Sequence, residues 1–320
     1  MGLSLVEWAL KHSRELNLKV EKITSTSEYL DSTHDFNVSI TYQGQQKIGR
    51  GIDLDEQTAL TKAISEALER CIVNSSNGVA AHVDQESAQK NSRYELLERD
   101  LFLLHYYARI PMVELDQKKT LSFLTSKGLN FLNYGKITIK SYSTLPTESG
   151  LRTVLTVASQ NDRKFGLICG LSLKDSIDSA IYKSLTEVMM NVIHFTREPI
   201  IPLSSQQLLF EKIATPRSHL LWGLHPESYN SIYPWIGYSR PENGVTQVKS
   251  HTNENQYSLK FSPKTSADPP LFVVKCSNKN LINLEFGVHE FTRENLIRLS
   301  EVADKNFELS NINRFPHPIG

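Results

Sequence analysis

The sequence predicts an α+β fold, with mixed sheets and long paired helices, and three observations predict it. Amphipathic helices and short alternating strands both occur, and they follow one another without a regular β-α-β alternation. The two strongest helices are also separated by only a short loop. A chain of 320 residues with 39% hydrophobic side chains can bury a large core, which suits one domain. Within it, residues 1–200 form the main body, 201–270 a loop-rich subdomain, and 271–320 closing strands, a helix and a tail.

Residues 4–16 place Leu5, Trp8, Ala9 and the stem of Lys11 at helical spacing, while 20–23 and 36–42 alternate as strands do. Gly44, Gly49 and Gly51 interrupt that pattern. Asp55 then precedes an amphipathic helix over residues 56–73, with Ala59, Ala63, Ile64, Ala67 and Leu68 inside. After a loop at 74–78, a second long helix covers 85–108 and ends before the Ile110-Pro111 step, because proline disfavours helix at the residue before it. Residues 135–143, 152–159 and 164–171 read as successive strands with a hairpin at Asn161-Asp162, and 178–195 as a third helix. The stretch 202–270 is rich in Ser, Pro, Asn and Gly, with apolar islands at 220–222 and 233–236. Strands at 271–275 and 282–286, a helix at 292–306 and an extended tail at 315–320 complete the reading.

Lysine plus arginine equal aspartate plus glutamate at 35 each, so no net positive field draws the chain to a nucleic acid or an anionic membrane. Cys71, Cys169 and Cys276 are an odd number at wide gaps, which fits reduced thiols better than a disulfide framework or a zinc knuckle. Glu7, Lys11 and His12 break any apolar signal region, and no stretch reaches the length of a bilayer span, so the cytoplasm is the expected compartment.

A carboxylate spacing recurs: Ala63-x-x-Glu66-x-x-Glu69-Arg70 on the first long helix and Ser92-x-x-Glu95-x-x-Glu98-Arg99 on the second. Positions i and i+3 share a helix face, so each helix offers two carboxylates to whatever covers that face. Such pairs are also common on solvated faces. If the two faces meet, however, four like charges converge, and a buried set of that kind requires cations. Magnesium, which takes a few carboxylates together with water and phosphate oxygens, could then hold a triphosphate without a glycine-rich phosphate loop. Neither a G-x-x-x-x-G-K-[ST] nor a G-x-G-x-x-G string is present.

Gly49-Arg50-Gly51 followed by Ala59, Ala63, Glu66, Glu69 and Arg70 resembles the first nucleotide motif of the YcaO family. Ser76-Asn77-Gly78 followed by Glu95-Leu96-Leu97-Glu98-Arg99-Asp100 resembles its second, and Ala180, Lys183 and Glu187 its third. The ending Phe315-Pro316-His317-Pro318 is similar to the family's proline-rich terminus. The resemblance implies ATP and Mg2+ as cofactors, with Glu66, Glu69, Glu95, Glu98 and Glu187 around the metal. Arg70, Ser76, Asn77, Glu86, Arg99, Lys183 and Asn191 would contact the nucleotide, and Pro316, His317 and Pro318 would carry the catalytic tail. The implied activity is phosphorylation of a peptide backbone amide in the maturation of a ribosomally made peptide. Cyclodehydration of Cys, Ser or Thr to thiazoline or oxazoline comes first; thioamide or amidine formation, or a non-catalytic scaffold, are the alternatives. The implied partners are a precursor peptide, a separate leader-peptide-binding protein and, as a further option, a second copy in a homodimer.

The sequence departs from the family pattern in places. Only residues 71–75 join the first glutamate helix to the Ser-Asn-Gly loop, where the family carries a long segment. Ser87 stands where a glutamate is expected, Lys183 where an arginine is common, and the tail lacks the last proline of P-x-P-x-P. The first 50 residues are too few for a fused peptide-clamping domain. His289-Glu290-x-x-Arg293 lacks a zincin's second histidine. Phe102, Tyr106 and Tyr107, at helical spacing, read as core or subunit interface.

Overall fold

The computed structural model describes residues 3–42, 44–73, 77–160, 165–197, 213–236, 247–249, 255–259, 268–304 and 306–319. The chain opens with α1 (Leu5–Lys11), β1 (Lys19–Lys22), α2 (Thr24–Ser27), β2 (His34–Tyr42), β3 (Gln45–Asp53), α3 (Glu56–Ile72) and β4 (Val79–His82). It continues through α4 (Gln85–Ala108), β5 (Val113–Glu114), α5 (Gln117–Leu121), α6 (Ser126–Tyr134), β6 (Ile137–Ser143), β7 (Thr153–Gln160), β8 (Leu167–Leu173) and α7 (Ile177–Arg197). It closes with α8 (Pro216–Leu224), α9 (Pro226–Ile236), β9 (Asn255–Leu259), β10 (Phe272–Ser277) and α10 (Arg293–Ala303). Two units emerge, Met1–Leu96 with Asn253–Asn278, and Leu97–Thr252 with Lys279–Gly320.

In the first unit, Ser4 and Glu7 exchange hydrogen bonds of 3.2 and 2.8 Å in a capping box that starts α1. The helix ends earlier than the expected residue 16, since the chain turns through Asn17 at φ 45° to reach β1. β1, β2 and β3 form an antiparallel sheet in that order. β3 is a continuous strand, where the glycines had suggested an interruption. The reason is the helix above it: a Cβ at residue 49 would stand 2.2 Å from the Ala63 carbonyl oxygen, and one at 51 would stand 1.9 Å from that of Ala59. Small residues on both sides, Gly49 and Gly51 below and Ala59, Ala63 and Ala67 above, let α3 lie directly on the strand. Leu5, Trp8, Phe36, Val38, Ile64 and Leu68 fill the core between sheet and helices. A second antiparallel sheet has the order β4-β10-β9. Its strand β4 follows the expected loop at 74–78 in a stretch that the sequence left unassigned; four residues with two alanines carry little strand signal.

The second unit is built on the antiparallel sheet β5-β6-β7-β8. β7 and β8 are buried along nearly their whole length. α7 packs on β7 and β8 and α8 on β8. Gly170 on β8 repeats the device of Gly49: a Cβ there would stand 2.3 Å from the Ser184 carbonyl oxygen of α7. From Leu101 to Tyr107, α4 is buried all round, as a helix in the middle of a core is, and Phe102, Tyr106 and Tyr107 are core residues. Asp100 and Arg298 form a buried ion pair, with the Arg298 Nε 3.0 Å from Asp100 Oδ1. The same oxygen accepts the Ile282 N–H at 2.8 Å. Residues 282–286 therefore form no strand: their backbone bonds go to the Asp100 side chain and, from the Glu285 carbonyl, to His317. Within the compositionally loop-like 201–270, the described residues hold α8, α9 and β9, and both apolar islands lie on the helices. The expected hairpin at Asn161-Asp162 lies outside the described residues. No helix among them is long and apolar enough to cross a membrane. Cys169 and Cys276 are buried free thiols and Cys71 is a half-buried one.

Candidate functional site

The glutamates of the repeated motif share one local geometry. Each reaches from a helix to a backbone N–H of the outermost strand of a sheet, where the ladder leaves donors unpaired. In the first unit, Glu66 Oε2 accepts from the Arg50 N–H of β3 at 2.6 Å, and Glu95 Oε2 from the Val79 N–H of β4 at 2.7 Å. Glu69 accepts from the Ala81 N–H, two residues along the same strand. In the second unit, Glu98 Oε2 accepts from the Leu173 N–H of β8 at 2.8 Å and Glu187 Oε2 from the Leu171 N–H at 3.3 Å. Residues two apart on a strand point the same way, so β4 and β8 each present a pair of donors to a pair of carboxylates.

Close helix seating makes these bonds. Glu66 lies one turn beyond Ala63, whose carbonyl touches Gly49, and Glu187 lies one turn beyond Ser184, whose carbonyl touches Gly170. The Arg50 side chain is itself fixed, with Nε 3.0 Å from Asp35 Oδ1 and Nη2 2.6 Å from Oδ2, and Thr26 donating to the same carboxylate at 2.5 Å. Gly78, at φ 64°, lets the chain turn into β4 against the Cys276 carbonyl. Asp84 accepts from the Ser87 N–H at 2.8 Å at the start of α4.

The first unit thus brings Glu66, Glu69 and Glu95 together. Burial pushes the Glu69 carboxyl up to about 8, with the charges of Glu95 and then Glu66 adding to it; the Ala81 N–H and Arg70 offset part of the rise. The second unit brings Glu98 and Glu187 together on β8. Glu95 and Glu98 are one turn apart on α4. Own-helix cations answer Glu66 and Glu187: Arg70 Nη2 is 2.7 Å from Glu66 Oε1, and Lys183 Nζ is 3.1 Å from Glu187 Oε1. Among the described residues, no group of three or more His, Cys, Asp or Glu is arranged to hold a metal ion by itself. A half-buried glutamate raised by neighbouring carboxylates is nevertheless what a divalent cation relieves, and Mg2+ needs only a few such ligands beside water and phosphate.

The other expected nucleotide contacts are placed as follows. Arg70 also donates to the Ile48 carbonyl at 2.7 Å. Arg99 and Asn191 are half-buried on their helices, Asn77 is half-buried beside Gly78, and Glu86 is exposed in the first turn of α4. Ser76 lies outside the described residues.

The tail residues Pro316, His317 and Pro318 are buried within the second unit. Tyr106 Oη lies 2.7 Å from the Pro316 carbonyl oxygen and 3.0 Å from that of Phe315, and Asn313 N–H donates to the Tyr107 carbonyl at 2.9 Å. His317 Nε2 lies 2.9 Å from the Glu285 carbonyl, and His219 Nδ1 lies 2.9 Å from the His317 carbonyl and 3.3 Å from its Nδ1. Burial, then the neighbouring His219, drives His317 down to about 3, so it is neutral. Phe315 stacks on Trp222.

Sequence reasoning found the carboxylates but not their partners. Any residue can supply an N–H, so Val79, Ala81, Leu171 and Leu173 carry no signal of their own; Gly49 under α3 and Gly170 under α7, which seat Glu66 and Glu187, are the trace a sequence can carry.

With this geometry in hand, the sequence matches the family model described as YcaO cyclodehydratase, ATP- and Mg2+-binding, over residues 61–228. The chain belongs to the YcaO family. The YcaO match spans the glutamate motifs of all three helices, and ATP and Mg2+ are the family's cofactors. Among solved structures, the chain is similar to a heterocyclase in complex with substrate and cofactor, at TM-score 0.67 and 13% identity. That match covers 99% of this chain and 57% of the heterocyclase, so the chain spans little more than half the length of that protein. It is also similar to YcaO from Methanopyrus kandleri bound with AMPPCP and Mg2+, at TM-score 0.57 and 11% identity, over 85% of this chain and 89% of that one. At such identities the likeness is one of fold. No curated protein matches the sequence.

Proposed function

We propose that this YcaO protein uses Mg2+-ATP to activate a peptide backbone amide, converting Cys, Ser or Thr in a ribosomally made precursor to a thiazoline or oxazoline. The observation that carries the reading is the set of five helix glutamates, each oriented by a strand N–H, with Glu69 held near 8 by burial and its neighbours. When bound, Mg2+-ATP supplies the phosphoryl group that turns a poor leaving group, the amide oxygen, into phosphate. Glu66, Glu69 and Glu95 would hold cations in the first unit, and Glu98 and Glu187 would do so in the second. The N–H bonds fix each carboxylate's rotation, so little ordering is left for the moment of binding. Arg70, Arg99, Lys183, Asn77, Ser76, Glu86 and Asn191 are assigned to the nucleotide. Lys183 is a point charge toward phosphate without the forked geometry of arginine.

Within this reading Pro316, His317 and Pro318 hold the tail in place. The buried imidazole, bonded to the Glu285 carbonyl, positions the tail that the catalytic assignment of Pro316, His317 and Pro318 rests on. The precursor peptide and a separate leader-binding protein are the proposed partners, and the cytoplasm the proposed compartment.

A second reading, a non-catalytic scaffold, is favoured by the pairing of Glu66 with Arg70 and of Glu187 with Lys183, which stabilises those charges without metal. The experiment that separates the two uses a precursor peptide with 18O in the backbone carbonyls before Cys, Ser and Thr. The enzyme reading predicts ATP-dependent loss of one water from the peptide and appearance of the label in phosphate. Unlabelled phosphate, or an unchanged peptide mass, contradicts it; a gain of sulfur mass would reassign the product to a thioamide.

A further inference from the structure

The second unit contains a cavity of about 430 Å3 at one end of its sheet, sharing no lining residue with the glutamate cluster. Asp116 from the turn after β5, Ser143 at the end of β6, Arg152 before β7, Lys174 and Asp175 after β8, and Ile177, the first residue of α7, line it. The volume is in the range of small-molecule pockets.

Two of these groups are spare. Ser143 is fully buried, and its Oγ has no hydrogen-bond partner. Its direction follows from register: Ser141, two residues earlier and therefore on the same face of β6, bonds to Thr120 of α5 at 3.1 Å and to Thr156 at 2.8 Å. Thr156 passes the chain on to Ser184 of α7 at 2.7 Å. The hydroxyl of Ser143 thus faces the α5 and α7 side, where the cavity lies, and it ends that ladder without a protein acceptor or donor. Arg152, half-buried on the rim, makes no hydrogen bond or ion pair with any described residue. A buried orphan hydroxyl and an unengaged guanidinium on one cavity, beside the N-terminal end of a 21-residue helix, are donors waiting for an oxyanion.

The acids on the wall narrow the choice. Glu114 is answered by Lys140 at 2.9 Å and Asp116 caps α5 through the Lys118 N–H at 2.9 Å, yet both keep negative charge near the site, as does Asp175. Across the lining these three acids outnumber Arg152 and Lys174, so a doubly charged phosphate meets the net repulsion at twice the strength of a singly charged carboxylate. The same acids suit an amide N–H or an ammonium.

We propose that this cavity binds a small carboxylate of amino-acid or dipeptide size, its carboxylate on Arg152 and Ser143 and its N–H groups toward the acidic wall. The site stands independently of the amide-activating reaction.

The test is calorimetry on the full chain, with EDTA present so that metal and nucleotide play no part. N-acetylglycylglycine, its C-terminal amide and inorganic phosphate are titrated in turn. Binding of the acid and not the amide is expected. Arg152→Ala should weaken the acid by about tenfold or more, and Ser143→Ala, which removes only a spare hydroxyl, by less. Glu187→Gln should bind the acid as wild type does, which keeps this site separate from the glutamate cluster. Equal binding of acid and amide, an acid affinity unchanged by Arg152→Ala, no acid binding by wild type, or binding of phosphate alone would each overturn the proposal. Circular dichroism and the melting curve of Arg152→Ala, a half-exposed position, check that the variant is folded.

Discussion

Glu95 lies close enough to Glu69 for its charge to help lift the Glu69 carboxyl to about 8, although both accept hydrogen bonds from the same strand, Glu95 from Val79 and Glu69 from Ala81. The N–H donors orient the pair without cancelling its repulsion.

A pH dependence follows. The folded carboxyl of Glu69 titrates above its ordinary 4.5, so between pH 4.5 and about 8 the folded chain keeps a proton that the unfolded chain releases. Stability from this group is therefore full below 4.5 and falls as pH rises through the window. Glu69→Gln should stabilise the metal-free protein at pH 8 by a few kcal/mol, about 2–4, and make little difference at pH 4. Urea melts at the two pH values read this directly, and an equal effect at both would refute it.

Metal binding should also release that proton. At pH 7 most Glu69 carboxyls are protonated, so Mg2+-ATP uptake should expel close to one proton, seen as a binding enthalpy that varies with the ionisation heat of the buffer. The Glu69→Gln variant should lose that variation.

Helix seating is testable through its glycines. Gly51→Ala would place a methyl 1.9 Å from the Ala59 carbonyl and Gly170→Ala one 2.3 Å from that of Ser184, both backbone atoms that cannot swing aside. Each change should cost about 1–3 kcal/mol in denaturant midpoint as the helix shifts. Gly170→Ala should in addition weaken nucleotide binding through Glu187.

The buried pair Asp100 and Arg298 predicts a larger loss. Removing one partner leaves an uncompensated buried charge, so Arg298→Met should cost about 3–5 kcal/mol, while the double change Asp100→Leu with Arg298→Met should recover much of it. A double variant no better than Arg298→Met would show that the Ile282 N–H bond to Asp100, and not the charge, is what matters.

His317 gives a signal of opposite sign. Its folded value near 3 lies below the ordinary 6.5, so its contribution is full above 6.5 and is lost as pH falls toward 3. Proton NMR of the imidazole should show no titration between pH 8 and 5; a midpoint near 6.5 would mean that the tail is out of its cleft in solution.

These cases also mark what the amino-acid pattern could convey. The three glutamate helices were legible because each carries helix-compatible residues over four or more turns, with the carboxylate spacing added on α3 and α4, and α4 ends where the Ile110-Pro111 step says it should. β3 was not, because Gly49 and Gly51 weaken any strand signal for a reason lying 8 to 18 residues further along the chain: the backbone of α3 resting on them. Residues 282–286 looked like a strand because Ile282 and Leu284 alternate inward, yet their backbone partners are the side chains of Asp100 and His317, which alternation does not encode. The carboxylates could be named in advance; the strand donors that aim them could not.

The central claim is that these carboxylates hold a nucleotide through Mg2+, and titration calorimetry with Mg2+-ATP tests it most directly. The account predicts saturable binding by the wild-type chain, no comparable binding when EDTA removes the metal, and weakening by about tenfold or more in Glu66→Gln and in Glu98→Gln. Absence of saturable binding by the wild type, or affinities unchanged in both variants, would contradict it.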